Sequence, residues 1–440
     1  MIKSFFKAIT PKRVVNTYHV LESRGAALFA GLPARKLLVI GVTGTKGKST
    51  TVAMLAHCLT AHGERVAFSS TVQWGMPGKT WPNKSKMTMP GRGELQHFLT
   101  RAVKAGCTAA VLETSSEGLA QGRHLGIAFD AAVFINITPE HIESHGDFRA
   151  YREAKERLFG SLNRPWRKIL KGKKIPTVIA ANVDDPYAFS FLRHAADLHI
   201  GFAQDNHAVK TVSGLTVLRA TNVVCTQTAC TFKFVGEECV IPLLGEFNVQ
   251  NALATLSVLD GLGYDRHRSA LALKTFSGVP GRMEEVKLGA PFRVFVDYSH
   301  EPASLQAAYA ATQLLKPKRL LTLLGAQGGG RDKAKRSVMG ALAAEHANVV
   351  VVTNEDPYDE DPEKIIFDVA TGAEAIGKAN VIRIADRRAA ILKLLQLGRP
   401  GDVLLLTGKG GEEVMAIAGG KLIPWDDRQV LKEEWAVIQR

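Results

Sequence analysis

The chain has 440 residues, 46% of them hydrophobic and 22% charged, with a formal net charge of +14. That length accommodates two or three domains with separate cores, and no apolar run approaches the roughly 20 residues of a membrane-spanning helix. The cation excess points to anionic partners, either nucleotides, nucleic acid or a membrane surface; no basic–aromatic array of the kind that grips nucleic acid accompanies it, so no nucleic-acid partner is expected. Five cysteines, Cys58, Cys107, Cys225, Cys230 and Cys239, contain no C-x-x-C pair. They read as ordinary half-buried thiols rather than a disulfide framework or a metal site, and with no signal peptide in view the expected location is cytoplasmic.

Residues 1–35 stand apart as a basic segment. Residues 1–40 carry seven cations against Glu22, and Ile2, Phe5, Phe6 and Ile9 recur at helical spacing with Lys3 and Lys7 between them until Pro11. A short basic amphipathic helix either lies on an anionic membrane, with residues 1–12 as a peripheral contact at its inner face, or packs on its own domain. From Lys36 the apolar run "KLLVIGVTG" leads into "KSTTVAMLAHCLTAHG", then "RVAFSS", "GELQHFLTRAVKAG", "AAVLETSS", "AAVFINIT", "TVIAANVDD" and "LHIGFAQ". Apolar strands separated by helices predict a doubly wound parallel α/β sheet over 36–280. Alternating strands in 208–245, such as "NVVCTQTACTFKFV" and "EECVIPLL", predict a small antiparallel patch, followed by the helix "NVQNALATLSVLDGLG". Beyond "GVPGRMEEV" a second series, "FRVFVDYSH", "RLLTLLGAQ", "NVVVVTNED", "NVIRIADR" and "DVLLLTGKG", predicts a Rossmann-like α/β domain over 281–440. Each strand ends in polar or glycine-rich residues, where open parallel sheets place ligands. Two such domains facing across a cleft would suit an enzyme that joins two substrates.

The stretch "GVTGTKGKSTT" has the strand–loop–helix context of a phosphate loop, yet five residues before Gly47 stands Val42, so the common G-x-x-x-x-G-K-[ST] spacing fails. Gly44, Thr45, Lys46, Gly47, Lys48, Ser49 and Thr50 are the predicted nucleotide-binding residues. Gly44 and Gly47 let backbone N–H groups approach phosphates at a helix N-terminus. Lys48 is placed to reach the β/γ-phosphates and Ser49 to ligate Mg²⁺. The bland alternative, a glycine-rich turn, does not account for "GKST" at the head of a helix. Glu113 ends a strand and is placed to hold a metal; Glu140, His141, His145 and Lys155 follow the next strand. Singly, these are satisfied loop histidines and a solvated helix lysine; together, at strand ends beyond a phosphate loop, they point to a site.

The segments "GTKGKST" (44–50), "ETSSEGLAQGR" (113–123), "NITPEHIESHG" (136–146), "AKERLF" (154–159), "GEFNVQNALA" (245–254), "GRMEEV" (281–286), "VDYSHEPASL" (296–305), "GAQGGGRDKAKR" (325–336), "NEDPYDEDP" (354–362) and "GKGGEE" (408–413) run in order along the chain. In these the sequence resembles the Mur ligases, ATP-dependent amino-acid ligases of peptidoglycan synthesis. It looks most like members that add the third residue to a UDP-N-acetylmuramoyl-dipeptide. The resemblance implies that ATP phosphorylates a peptide carboxylate and that the incoming amino group displaces phosphate from the acyl phosphate. It further implies two Mg²⁺ ions, held by Ser49, Glu113, His141 and a carbamate formed from CO₂ on Lys155, with Lys48, Glu113, His141 and Lys155 catalytic. Asn248, Asn251, Arg282 and Asp297 would engage ATP. Thr88, Ser115, Gln121 and Arg123 would serve the acceptor side and Arg331, Asp356, Tyr358 and Glu412 the amino-acid pocket, while His300, counted with the substrate-binding residues, would order the ATP site of the C-terminal domain. The partners implied are a nucleotide-sugar-peptide or related acceptor and a free amino acid, and a monomer is expected.

Three departures sharpen the reading. Forty residues precede the loop, so the family's uridine-binding domain is expected to be absent, and a lipid-linked acceptor becomes a rival to a UDP-linked one. The family's T-T-P turn reads Thr88-Met89-Pro90, and D-N-P-R reads Glu355-Asp356-Pro357-Tyr358. Without that arginine a distal carboxylate has no obvious partner; Glu355, Asp356 and Asp359 either favour a cation such as lysine or form a solvated turn. In addition, Gly411 stands where a histidine is common. Folate, polyglutamate or amino-acid-polymer ligases, and a catalytically silent nucleotide-binding scaffold, are the remaining alternatives. A scaffold has no need of Lys155.

Overall fold

The run "LVIGVT" becomes β1 (Leu38–Thr43), with every residue buried. A strand apolar on both faces belongs in the middle of a covered parallel sheet, and it sits there, between β5 (Ala109–Glu113) and β6 (Ala131–Phe134). The computed structural model describes residues 22–139, 145–204, 214–330 and 333–440. They form two units. The first comprises the chain to Val224 with Thr231–Ile241 and Asn248–Phe276; the second holds Cys225–Cys230, Pro242–Phe247 and Ser277–Arg440. The basic stretch 1–12 lies outside the described residues.

In the first unit the described residues make an eleven-stranded sheet. Outward from β5 come β2 (Val66–Ser69), β3 (Gln73–Met76) and β4 (Lys79–Pro82), the last two pairing antiparallel. Outward from β6 come β9 (Val178–Asn182), β10 (Leu198–Gln204), β11 (Leu215–Cys225), β12 (Cys230–Phe234) and β13 (Glu237–Ile241). A separate hairpin holds β7 (Ile169–Leu170) and β8 (Lys173–Lys174). After β1 the chain lays down β2 and β5 on one side, then crosses to place β6 on the other. This reversal of direction opens a crevice at the C-terminal ends of β1, β5 and β6, where such sheets bind ligands.

The small antiparallel patch expected in 208–245 is joined to the central sheet by β11, which pairs in parallel with β10, His199 opposite Leu215. Two sequence expectations there need correction. The run "NVVCTQTACTFKFV" was expected as a strand; it instead turns at 226–229, where the Thr226 N–H donates to the Ala229 carbonyl at 2.8 Å. The turn brings Cys225 and Cys230 to a Cα separation of 4.1 Å, and they form a disulfide. A hairpin aligns cysteines that no C-x-x-C spacing announces. Cys58, Cys107 and Cys239 are buried thiols.

At the opposite, N-terminal edge of the sheet Asp130 is fully buried. It accepts from the Val39 N–H at 2.8 Å, Lys168 Nζ at 2.6 Å and Arg164 Nη2 at 2.6 Å. Lys168 also donates to the Leu37 carbonyl at 2.7 Å. Burial pushes the Lys168 ammonium down to about 8, against the pull of Asp130.

The second unit is built on a six-stranded sheet in the order β14 (Glu284–Glu285), β15 (Arg293–Val296), β19 (Val403–Leu406), β16 (Leu320–Leu324), β17 (Val349–Val352), β18 (Asn380–Arg383), parallel except for β14. Helices Pro302–Gln313, Ala334–His346 and Pro362–Ile376 alternate with its strands. Arg387 ties helix Arg387–Leu397 to helix Asp427–Ile438 through a buried pair with Asp427, at 2.8 and 2.6 Å.

Removing Asp130 strands two buried cations. Asp130→Ala is expected to cost about 3–5 kcal/mol, read as a lowered urea midpoint in equilibrium unfolding.

Candidate active site

The turn after β1 is shaped by backbone before any ligand arrives. Gly47 has φ +80°, and a Cβ there would stand 2.2 Å from Asn251 Oδ1. Asn136, just beyond β6, holds the loop from beneath. Its carbonyl accepts from the Thr45 N–H at 2.9 Å, and its Oδ1 accepts from the N–H groups of Thr45 and Lys46 at 3.1 and 2.9 Å. Helix Lys48–Ala61 starts at once, with Ser49 and Thr50 buried in its first turn. Asn251 accepts from Thr51 Oγ1 at 3.4 Å and donates to Asn248 Oδ1 at 3.2 Å, so the two predicted asparagines sit together beside the loop helix.

Glu113, only 2% exposed at the end of β5, is the hub. Its Oε2 accepts from Ser49 Oγ at 2.7 Å and from the Thr71 N–H at 2.8 Å; Oε1 lies 2.8 Å from Thr71 Oγ1 and 4.0 Å from Lys48 Nζ. Lys48 also donates to the Thr45 carbonyl at 2.9 Å. Thr71 Oγ1 is in turn 2.9 Å from Thr88 Oγ1, which links the predicted substrate turn to the same carboxylate. Lys155, on helix Phe148–Gly160, is 2% exposed and donates to the Gly44 carbonyl at 2.8 Å. It stands 4.7 Å from the ring centre of Tyr151, whose hydroxyl meets Thr45 Oγ1 at 3.1 Å. A hydroxyl and a carboxylate at this spacing are the hard oxygen donors that Mg²⁺ prefers. The lysine's ammonium would repel such an ion; its carbamate would not.

The other first-unit candidates form a second layer. Ser115 caps helix Ser116–Ala120 by accepting from the Gly118 N–H at 3.2 Å. Arg123 donates to the Met89 carbonyl, which holds the Thr88-Met89-Pro90 turn, and to Gln121 Oε1 at 3.2 and 2.8 Å, which orients the guanidinium. His145 meets Ser116 Oγ at 3.1 Å, and burial pushes its imidazole below the usual range. Glu140, His141 and Arg331 lie outside the described residues.

The second unit gathers its own set. Asp297, past β15, accepts from the N–H groups of Met283 and Ser299, each at 2.8 Å. The Arg282 guanidinium stacks 4.4 Å over the Tyr298 ring, and its Nε is buried with no hydrogen-bond partner. His300 Nδ1 meets the Tyr298 carbonyl at 2.8 Å, and the Tyr298 hydroxyl donates to Glu412 at 3.1 Å. Burial, then the charge of Glu412, holds the Tyr298 phenol well above its ordinary range. Lys409 is fully buried and donates to Asp356 at 3.0 Å, Glu412 at 2.7 Å and the Val414 carbonyl at 2.7 Å. The cation that Asp356 holds is therefore the chain's own Lys409.

Of the three acids read as a cation pocket or a solvated turn, Glu355 and Asp356 are fully buried and only Asp359 is exposed. Tyr358 has φ +52° and packs against Gly329. Asn136, Thr71, Tyr151, Tyr298 and Lys409 were given no role from the sequence. Asn136, Tyr298 and Lys409 lie inside quoted segments, where a buried partner for a neighbouring acid or loop amide was the available signal; Thr71 and Tyr151 carried none.

Residues 42–259 match the Mur ligase middle domain, and residues 281–410 match the Mur ligase, glutamate ligase domain. The UDP-N-acetylmuramyl-tripeptide synthetase of Roseiflexus sp. (strain RS-1) is 37% identical over 415 residues, covering 91% of this chain and 79% of that protein. The UDP-N-acetylmuramoyl-L-alanyl-D-glutamate–2,6-diaminopimelate ligase of Trichormus variabilis is 36% identical, covering 92% and 78%. A solved structure of an enzyme of the latter name superposes with a TM-score of 0.59 at 29% identity, covering 92% of this chain and 79% of that one. The fold is shared with the Mycobacterium tuberculosis folylpolyglutamate synthase, TM-score 0.69 at 17% identity, covering 96% and 95%.

Two outcomes follow from the geometry. Gly47→Ala forces a left-handed residue against Asn251 and is expected to weaken ATP binding about tenfold or more, measured by calorimetric titration. Burial and Asp356 push the Glu355 carboxyl from 4.5 up to about 7. The folded state therefore keeps a proton that the unfolded state releases, so stability falls as pH rises from about 4.5 to about 7, by roughly 3 kcal/mol, and is flat above. Glu355→Gln should remove that slope in melting temperature against pH.

Proposed function

The chain belongs to the Mur ligase family of ATP-dependent, ADP-forming ligases, and we propose that it forms an amide bond between a muramoyl-peptide carboxylate and an incoming amino acid in peptidoglycan precursor synthesis. The observation that carries this reading is the knot of Ser49, Lys48 and Thr71 around buried Glu113, with Lys155 on the carbonyl of Gly44. It sets a cation, a hydroxyl and a carboxylate around one phosphate loop, where the difficulty of the reaction lies: a peptide carboxylate must approach a phosphate of the same charge.

In this reading Lys48 neutralises the transferring phosphoryl group, and backbone N–H groups of 45–49 orient it at a helix N-terminus. Ser49, Glu113, His141 and a carbamate on Lys155 would hold Mg²⁺, which would supply charge stabilisation at the phosphoryl oxygens. The carbamate is supported by the burial of Lys155 and its place beside the loop. Asn136 and Asn251 keep the loop open for phosphate; Asn248 and Asn251 are assigned to the adenine side. Arg123 and Gln121 fix the Thr88 turn on which the acceptor rests, with Ser115. In the second unit, Arg282 has an unpartnered Nε suited to an anionic oxygen, and Asp297 and His300 order its surroundings. The amino-acid pocket is assigned to Arg331, Tyr358 and Glu412; Asp356 serves it indirectly, by holding Lys409 against Glu412.

The reading is tested with UDP-N-acetylmuramoyl-L-Ala-D-Glu, Mg²⁺, bicarbonate and pooled amino acids, following phosphate release and product mass. A tripeptide product establishes the ligase and identifies the amino acid; ATP binding without product directs the search to lipid-linked acceptors. Lys155→Ala is expected to lower turnover about a hundredfold or more, with partial recovery on adding a short carboxylate. Unchanged turnover in that variant would remove the carbamate.

A further inference from the structure

A basic, partly apolar surface lies at the edge of the central sheet opposite the phosphate loop. The hairpin β7–β8 closes through Lys171 and Gly172, both at positive φ, a tight two-residue turn. Its register sets Ile169 beside Lys174. Ile169 is 73% exposed and Lys173 and Lys174 are exposed, so one rigid hairpin presents an aliphatic side chain among ammonium groups. Next to it Trp166 is 37% exposed, with the guanidinium groups of Arg35 and Arg164 at 4.8 and 4.7 Å from its ring centre. Lys168 donates to the Leu37 carbonyl, which fixes the hairpin's base to the segment entering β1.

Lys171 and Arg167 face Glu64 and Asp197. Arg35, Lys36, Lys173 and Lys174 have no carboxylate partner among the described residues. An exposed aliphatic residue flanked by unneutralised cations, with an indole at its side, is the chemistry of an interface between water and an anionic bilayer.

We propose that this surface, formed by Arg35, Trp166, Ile169, Lys173 and Lys174, docks the protein on an anionic phospholipid membrane. The charge pattern selects that occupant. Residues 1–21 of the chain carry four cations and no carboxylate, so they are no electrostatic complement to the patch. A single-stranded nucleic acid needs a free aromatic face for base stacking, and the Trp166 ring is already engaged by two guanidinium groups. Docking here leaves the phosphate loop clear of the lipid: β1 runs its six residues from this edge to the loop, about 20 Å.

The test is flotation of the full chain with vesicles of phosphatidylcholine alone or mixed equally with phosphatidylglycerol, at low and high salt. The variant combines Ile169→Ser, Lys173→Glu and Lys174→Glu; its melting temperature and ATP affinity confirm an intact fold. Expected is binding to the mixed vesicles only, lost at high salt and weakened about tenfold or more in the variant. Equal binding by an intact variant overturns the proposal and leaves residues 1–12 as the contact. No binding by the native chain overturns it too, as does loss in the variant of affinity for a single-stranded oligonucleotide rather than for vesicles.

Discussion

A carboxylate withdrawn from water at the end of a central strand constrains everything near it. A carboxyl group so deeply buried needs polar partners around it, and they come from two separate stretches: Ser49 and, at 4.0 Å, Lys48 from the first turn of the loop helix, and Thr71 from the turn after β2. Satisfying one buried carboxyl group therefore fixes the loop, the edge of β5 and, through Thr88, the turn at 88–90 in a single geometry. Lys155 and Asn136 complete the frame by occupying the backbone groups that the loop itself leaves over. The result is a preorganised site, in which charge is placed before the reactants arrive.

The second unit treats its charges differently. Lys409 is saturated by Asp356, Glu412 and a carbonyl, and Glu412 also receives the Tyr298 hydroxyl. Against that closed network, Arg282 at Nε and Glu355 at both oxygens are among the buried polar atoms that have no hydrogen-bond partner among the described residues. Gly408 is the reason Glu355 fits at all, since a Cβ there would lie 2.3 Å from its Oε2.

The parallel cores were legible because buried strands such as "LVIGVT" and "VVVV" are apolar on both faces, and the phosphate loop because it needs strand, glycine and helix in one short run. Ser49, Glu113 and Lys155 come from the same order of segments; the structure sets Ser49 against Glu113 and Lys155 on the carbonyl of Gly44. What escaped the sequence is what depends on partners distant along the chain. The extension of the sheet through β11 rests on pairing with β10, which no alternation pattern encodes. Cys225 and Cys230 looked unrelated because the turn between them has no glycine or proline to mark it. Asp356 reads from the sequence as part of a pocket for a cationic amino acid or of a solvated turn; only the fold shows Lys409, 53 residues away, against it.

The loop's supports also set an order in time. Gly44–Gly47 is written early in the chain, yet it is held by Asn136 and closed against Asn251. A ribosome must therefore translate well past the middle of the message before the nucleotide site exists, and every shorter nascent chain carries a phosphate-loop sequence without the structure that binds phosphate. Nucleotide cannot steady the chain until the segment carrying Asn251 has emerged, so the apolar sheet has to assemble unaided up to that point.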